Sequence, residues 1–231
     1  MKSERASLVL VATPIGNLSD LSPRAIEALS GADFWLVEDT RISGKLQSHL
    51  GIKKPMRVLS DHTSQGQIEK YLEEIKAGAN AAVLTDGGSP VVSDPGAILC
   101  DLCHEAGIGI EGVPGPSAPI MALTLSGFFG QRFCFLGFLP RKAGDIRSEL
   151  APYADSPLTL VLFESQFRIN TLLETAGAAL GDRRYAICRE MTKAHQQVYR
   201  GRLPYVPGES EVPRKGEFTI VIEGRRKTKV D

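Results

Sequence analysis

Two short clusters of ionisable residues follow strand-length apolar runs in this chain. Glu38, Asp39 and Arg41 close the run Phe34–Val37, and Asp61 and His62 close the run at 56–59. A carboxylate or imidazole at the end of a buried strand can accept a proton from a weak nucleophile, and a cation beside it can stabilise the alkoxide that forms. His62 also suits a phosphate contact. Simpler readings compete: Asp39 or Thr40 would cap a following helix, and a lone loop histidine is often only solvated. His49, His104 and His195 sit in no comparable setting.

The segment most suited to a ligand is V-L-T-D-G-G-S-P-V-V-S-D-P-G at 83–96, where an apolar strand runs into a loop of Gly, Pro and Asp. Paired glycines let a ligand approach the backbone and prolines hold the loop open, while Asp86 and Asp94 stand beside potential helix starts. A second loop, G-V-P-G-P-S-A at 112–118, ends the apolar run Ile108–Val113. Either loop alone could be a tight βα connection. Two of them at strand ends match the rule that open α/β sheets bind ligands beyond the carboxyl ends of their strands. No glycine fingerprint opening a helix directly after a strand, and no G-x-x-x-x-G-K-[ST], supports an NAD or ATP enzyme.

These loops need a scaffold, and strand and helix patterns alternate five times ahead of residue 114. Apolar runs at 7–12, 34–37, 56–59, 81–85 and 108–113 are strand length, with amphipathic helical stretches between them. Ser22 with Pro23 opens one helix, and Gly31, Gly51, Gly78 and Gly107 each stand where a helix should close. Strict alternation predicts a parallel sheet with helices on both faces. After a helix from Ala118 to Leu125 the pattern changes: strands at 133–138, 158–164, 185–190, 196–200 and 217–223 accompany helices only near 144–154 and 167–180. The expectation is an α/β protein of two αβ domains: a cofactor-loop domain at 1–116, and a mixed-sheet domain at 117–231 that completes a cleft.

Composition narrows the classes. The 231 residues, 42% hydrophobic and 23% charged, suit a soluble protein with a sizeable core. With 27 acidic and 27 basic residues the net charge is zero, so the molecule as a whole does not attract nucleic acid. Local basic groups remain at Lys53 and Lys54, at Arg141, Lys142 and Arg147, at Arg183 and Arg184, and at Arg225, Arg226, Lys227 and Lys229, each also readable as solvated surface. Lys2 and Arg5 ahead of the run at 7–12 imitate a secretory signal, but the run is short and Pro14 follows it. No run approaches the roughly 18 to 20 apolar residues of a membrane helix. A cytoplasmic protein without a membrane partner is expected. Cys100-Asp-Leu-Cys103-His104 fits the C-x-x-C-H of haem attachment. It lies in a helix pattern with Ile98, Leu99, Leu102 and Ala106 at core spacing, which predicts buried thiols and no metal site.

The order of motifs then resembles one family closely. T-P-I-G-N-L-S-D at 13–20, E-D-T-R at 38–41, D-H at 61–62, the loop at 85–96 and P-G-P-S-A at 114–118 come first. F-L-G-F-L-P-R-K at 135–142, F-E-S at 163–165, R-E-M-T-K at 189–193 and K-G-E-F at 215–218 follow. The chain resembles the tetrapyrrole methylase superfamily and, within it, the bacterial branch that methylates a cytidine 2′-oxygen of small-subunit (16S) ribosomal RNA. T-P-I-G-N-L and E-D-T-R belong to that branch, and the resemblance covers nearly the whole chain. The chain departs from the branch's pattern at Thr63, Ser64 and Gln65, at Gln166 and Phe167, and in lacking a helical tail after Arg226.

The resemblance implies a homodimer that holds S-adenosylmethionine between its domains and acts on ribosomal RNA or the small ribosomal subunit. The cofactor residues it implies are Pro14, Asp86, Gly87, Gly88, Ser89, Pro90, Asp94, Pro95, Gly96, Pro114, Gly115, Pro116, Ser117 and Ala118, with Met191 and Thr192. Glu38, Asp39, Arg41, Asp61 and His62 become the catalytic candidates. Arg141, Lys142, Glu164, Ser165 and Arg168 become RNA contacts. Ser165 as a helix cap with Glu164 exposed is the plainer alternative, and Phe138 reads either as core or as a base-stacking ring. Other superfamily reactions, on a tetrapyrrole carbon or a modified protein side chain, are the alternative within the enzyme class. A non-turning-over relative that binds S-adenosylmethionine or RNA is the alternative outside it.

Overall fold

The computed structural model describes residues 8–226, so Lys2, Arg5, Lys227 and Lys229 lie outside the described residues. Two compact units divide between Ser117 and Ala118.

The first unit contains β1 (Leu8–Val11), α1 (Pro23–Gly31), β2 (Phe34–Val37), α2 (Thr40–Leu50), β3 (Met56–Val58), α3 (Gln65–Lys76), β4 (Ala81–Leu84), α4 (Ala97–Glu105) and β5 (Ile110–Val113). The strands form one parallel sheet in the order β3-β2-β4-β1-β5. Every residue of β2 and β4 is buried, as strands covered on both faces must be. Side-chain alternation sends Trp35, Val37, Ala82 and Leu84 against Ala25, Leu29 and Leu46 of α1 and α2. Phe34, Leu36, Ala81 and Val83 meet Ile68, Leu72, Leu99 and Cys103 of α3 and α4 on the other face. The Trp35 indole N–H donates to the Leu29 carbonyl at 2.9 Å, satisfying the one polar atom of a fully buried ring.

Ser22 Oγ accepts the Ala25 N–H at 3.1 Å ahead of Pro23, and Gly51 closes α2 at φ +65°. Gly31 does not close α1. It is the last helical residue, and Ala32 leaves in extended conformation. Cys103 is fully buried in α4, its thiol pushed up to about 11 by burial, a setting that does not suit covalent attachment of a haem to an exposed pair. The letters G-I-G-I-E-G at 107–112 do match G-x-G-x-x-G, but they lead into β5 rather than opening a helix after a strand, so no dinucleotide fingerprint exists there.

The second unit contains α5 (Ala118–Ser126), β6 (Phe133–Phe138), α6 (Ala143–Leu150), β7 (Thr159–Glu164), α7 (Ile169–Leu180), β8 (Arg184–Arg189), β9 (Gln197–Arg202) and β10 (Phe218–Ile222). Its sheet runs β6-β7-β10-β8-β9, with β6 and β7 parallel and the other pairs antiparallel. Leu160, Leu162, Ile187, Ile220 and Ile222 pack under α6 and α7. On the opposite face Cys188 lies against α5, its Sγ 3.7 Å from the Ala122 carbonyl. The fold class is the one expected: a parallel sheet with helices on both faces, then a mixed αβ unit. Among the described residues no helix is long and apolar enough to cross a membrane.

Candidate active site

Parallel register gathers the candidate residues of the first unit along one edge. Val58 pairs with Val37, Val37 with Leu84, and Val11 with Val113, while Leu10 faces Val83. The strands therefore end in one row, and the segments beginning at Leu59, Glu38, Thr85, Ala12 and Pro114 all leave from it. Thr13 and Gly88 lock two of these exits together through paired backbone hydrogen bonds of 2.9 and 3.0 Å. The Thr13 hydroxyl adds a bond to the Thr85 carbonyl at 3.1 Å. A Cβ at Gly87 would lie 3.2 Å from the Pro14 carbonyl oxygen, and one at Gly115 would lie 3.0 Å from the Ala12 Cβ. A side chain at either place would have to push the β1 exit aside by a few tenths of an ångström, so glycine suits both.

Backbone strain marks the same loops. Among the described residues four non-glycine residues have positive φ: Val91 (74°), Ser93 (63°), Glu190 (49°) and Thr192 (66°). The first two lie in the loop at 86–96 and the last two in R-E-M-T-K, both singled out from the sequence. Such conformations persist where surrounding structure over-determines them, characteristically at ligand sites. Thr85 Oγ1, Asp86 Oδ1 and Thr192 Oγ1 are buried without a hydrogen-bond partner. Orphan groups of this kind fit a site that receives a polar ligand. Neither Asp86 nor Asp94 caps a helix. α4 starts after Gly96 with no side-chain cap, which leaves both carboxylates to the loop. Thr13 and Thr85 escaped the sequence reading. Their signal was a threonine placed where each apolar run meets Pro or Asp.

Glu38, Asp61, Asp86 and Asp94 form an acidic group at this edge. Burial first, then Asp86 and Asp61, raises the Glu38 carboxyl, and burial also raises Asp86. Asp94 is pushed from 3.8 up to about 6 by burial, then by Glu38, Asp86 and Asp61. The folded chain holds the Asp94 proton more tightly than the unfolded chain. Its contribution to stability is therefore complete below the unfolded value of 3.8 and is lost as pH rises through about 6. Asp94→Asn is expected to be more stable than wild type by about 1 kcal/mol at alkaline pH, a value reduced for the group's solvent access. The difference should vanish near the unfolded value; thermal melts at the two pH values measure it.

Asp39 plays the plainer part. It caps α2, accepting the Arg41 N–H at 2.8 Å, and pairs with the exposed Arg41 guanidinium. Arg41 holds its carboxyl down at about 2, which makes Asp39 a poor proton acceptor. His62 is exposed and lines an open cavity of about 610 Å³ with Arg57, Ser60, Ser64 and Tyr71.

In the second unit Met191 is buried, and the Thr192 N–H donates to Gln196 Oε1 at 2.7 Å. Glu190 Oε1 accepts from Lys193 Nζ at 3.0 Å and from the Glu217 N–H at 2.9 Å. A Cβ at Gly216 would lie 2.5 Å from the Glu190 side chain, so K-G-E-F exists partly to seat R-E-M-T-K. Arg141 and Lys142 are exposed just beyond β6. Glu164 is only 3% exposed and is paired with Arg168 at 3.2 Å. Arg168 Nη2 also donates to the carbonyls of Leu139 and Pro140 at 3.0 and 2.7 Å. Ser165 donates its N–H to Glu164 and caps nothing, since α7 starts after Arg168 with no side-chain cap. Both earlier readings of this turn need correction: Glu164 is neither exposed nor free for RNA, and with Arg168 it fastens the exits of β6 and β7. Glu164→Ala should cost about 2 kcal/mol by stranding Arg168, read as a lower denaturant midpoint.

Residues 7–207 match the tetrapyrrole (corrin/porphyrin) methylases, and the chain belongs to that family. Within it, the chain is 42% identical over 225 residues to the ribosomal RNA small subunit methyltransferase I of Haemophilus influenzae, covering 96% of this chain and 80% of that protein. The protein of the same name from Thermotoga maritima is 39% identical, with 94% of this chain and 98% of the relative covered. Among solved structures diphthine synthase superimposes with a TM-score of 0.71 at 16% identity over 94% of this chain and 89% of that one, a likeness of fold.

Proposed function

We propose that this chain transfers a methyl group from S-adenosylmethionine to a cytidine 2′-oxygen of small-subunit ribosomal RNA, as a cytoplasmic homodimer. The observation that carries this reading is the identity of 42% along 96% of the chain with a protein named for ribosomal RNA methylation. That stretch includes the loops whose strain and glycine packing suit a ligand.

The first unit's loops fit the donor. Gly87 and Gly115 offer backbone amides to a carboxylate while Gly88, tied to Thr13, holds the loop in place; the prolines flank an adenine without competing donors, and Thr85 and Asp86 bring the orphan oxygens. The donor supplies an electrophilic methyl carbon on a cationic sulfonium. Glu38, Asp61, Asp86 and Asp94 create a field that favours a cation at this edge. The strained turn at 190–192 supports a ligand-holding role for Met191 and Thr192 on the second unit.

A ribose hydroxyl is a weak nucleophile near neutral pH. Glu38, more basic than an ordinary carboxylate, is the group we assign to take its proton, with Asp61, whose charge acts on it, and the adjoining His62 as further candidate acceptors. The loops contribute alignment and exclusion of water. The test is incubation of purified protein and methyl-labelled donor with small ribosomal subunits, deproteinised RNA or a precorrin. Label in an alkali-resistant cytidine linkage is expected. Label in the tetrapyrrole alone, or donor binding with no product anywhere, would defeat the reading.

A further inference from the structure

The β6–β7 edge of the second unit carries an aromatic surface that extends beyond Phe138, the one ring there offered as a stacking candidate from the sequence. In an unbroken strand Phe135 and Phe138, three residues apart, would point to opposite faces. The pairing of β6 with β7 shifts between Phe135 and Gly137, with Leu136 as the extra residue, so that Phe135 faces Val161 and Phe138 faces Phe163. Gly137 takes φ +61° at this bulge. The shift returns both rings to the side of Phe163, whose centroid lies 4.9 Å from Phe135 and 5.4 Å from Phe138. Bulges recur beside functional sites because they re-aim a side chain in this way.

The surface is open and flanked by positive charge. Phe138 is 62% exposed and Phe167 is 86% exposed, far beyond what a core ring shows. β6 and β7 are parallel, so their exits share one end of the sheet, and Arg168 ties the turn that follows Phe167 to the carbonyls of Leu139 and Pro140. Arg141 and Lys142 emerge from the same exit, exposed and in no ion pair among the described residues, with Asp145 in the first turn of α6 as the nearby acid in sequence. A single exposed phenylalanine needs no explanation. Rings set at one sheet end beside two unpaired cations match the way unpaired bases are held, with stacking on the rings and phosphates on the cations. Self-association across this face would bring the cations of two copies around one axis, at a repulsive cost.

We propose that Phe138, Phe163 and Phe167, rimmed by Arg141 and Lys142, form a stacking platform for unpaired bases of the RNA substrate. This rests on the RNA reading above. The test compares wild type, F138A/F167A, F138W/F167W and R141A/K142A in methyl transfer to unmodified small ribosomal subunits, with sedimentation of each variant. F138A/F167A is expected to raise the KM for subunits about tenfold or more, at an unchanged KM for the methyl donor, and the tryptophan pair should restore it. R141A/K142A should weaken binding and flatten its salt dependence by about two phosphate contacts. An unchanged KM for subunits in F138A/F167A overturns the platform, as does a change of oligomeric state in that variant, which would make the face a contact between copies. If wild type itself labels no RNA, the RNA reading fails first and takes the platform with it.

Discussion

Gly88→Asp is expected to lose binding of S-adenosylmethionine, the methyl donor proposed above. Gly88 has φ +103°, beyond the left-handed region that aspartate tolerates, and its backbone makes both bonds of the bridge to Thr13. A side chain there must either break the bridge that joins the exits of β1 and β4 or occupy the space beside Ile15, whose Cγ2 would lie 3.6 Å from the new Cβ. It would also add a charge to carboxylates that burial already disfavours. Calorimetry should show affinity reduced at least about 100-fold, equivalent to about 3 kcal/mol. The matched control is Gly144→Ala, which meets nothing within 4 Å on α6 and should bind the donor normally while gaining a little helix stability. Normal binding by Gly88→Asp would show that the loop at 86–96 does not hold the donor.

Glu38→Ala separates binding from chemistry. The variant should retain donor affinity and lose kcat by about 100-fold or more, the scale of a general base. Because Glu38 is raised, wild-type kcat should fall with acidity at a pH above the ordinary carboxylate range, and the variant should lack that limb. Asp94, with its carboxyl at about 6, is the competing acceptor. Loss of the acid limb in Asp94→Asn, with the limb intact in Glu38→Ala, would transfer the role from one residue to the other.

The parallel sheet was legible because strands buried on both faces must be apolar throughout, as Phe34–Val37 and Ala81–Leu84 are. Their ends were legible for the same reason: charge and glycine cannot continue into such a core. Which ends become neighbours depends on the order β3-β2-β4-β1-β5, a long-range outcome that no local pattern encodes. The raising of Asp94 by Glu38, which comes from a different loop, was therefore invisible. Glu164 and Arg168 misled because a charged pair after a strand reads as surface, whereas here the acid is buried and the arginine spends its donors on backbone carbonyls. Asp39 illustrates the converse, since a cap and an active-site acid occupy the same place after a strand.

The extra residue at Leu136 bears on more than ring orientation. β6 is an outermost strand, and a regular Phe133–Phe138 segment would offer incoming chains a greasy, unbroken row of amides and carbonyls. The irregular spacing at Gly137 spoils that template. The enzyme can thus keep exposed phenylalanines on its flank without inviting fibrous assembly, and deleting Leu136 should make it precipitate at concentrations where the parent chain does not.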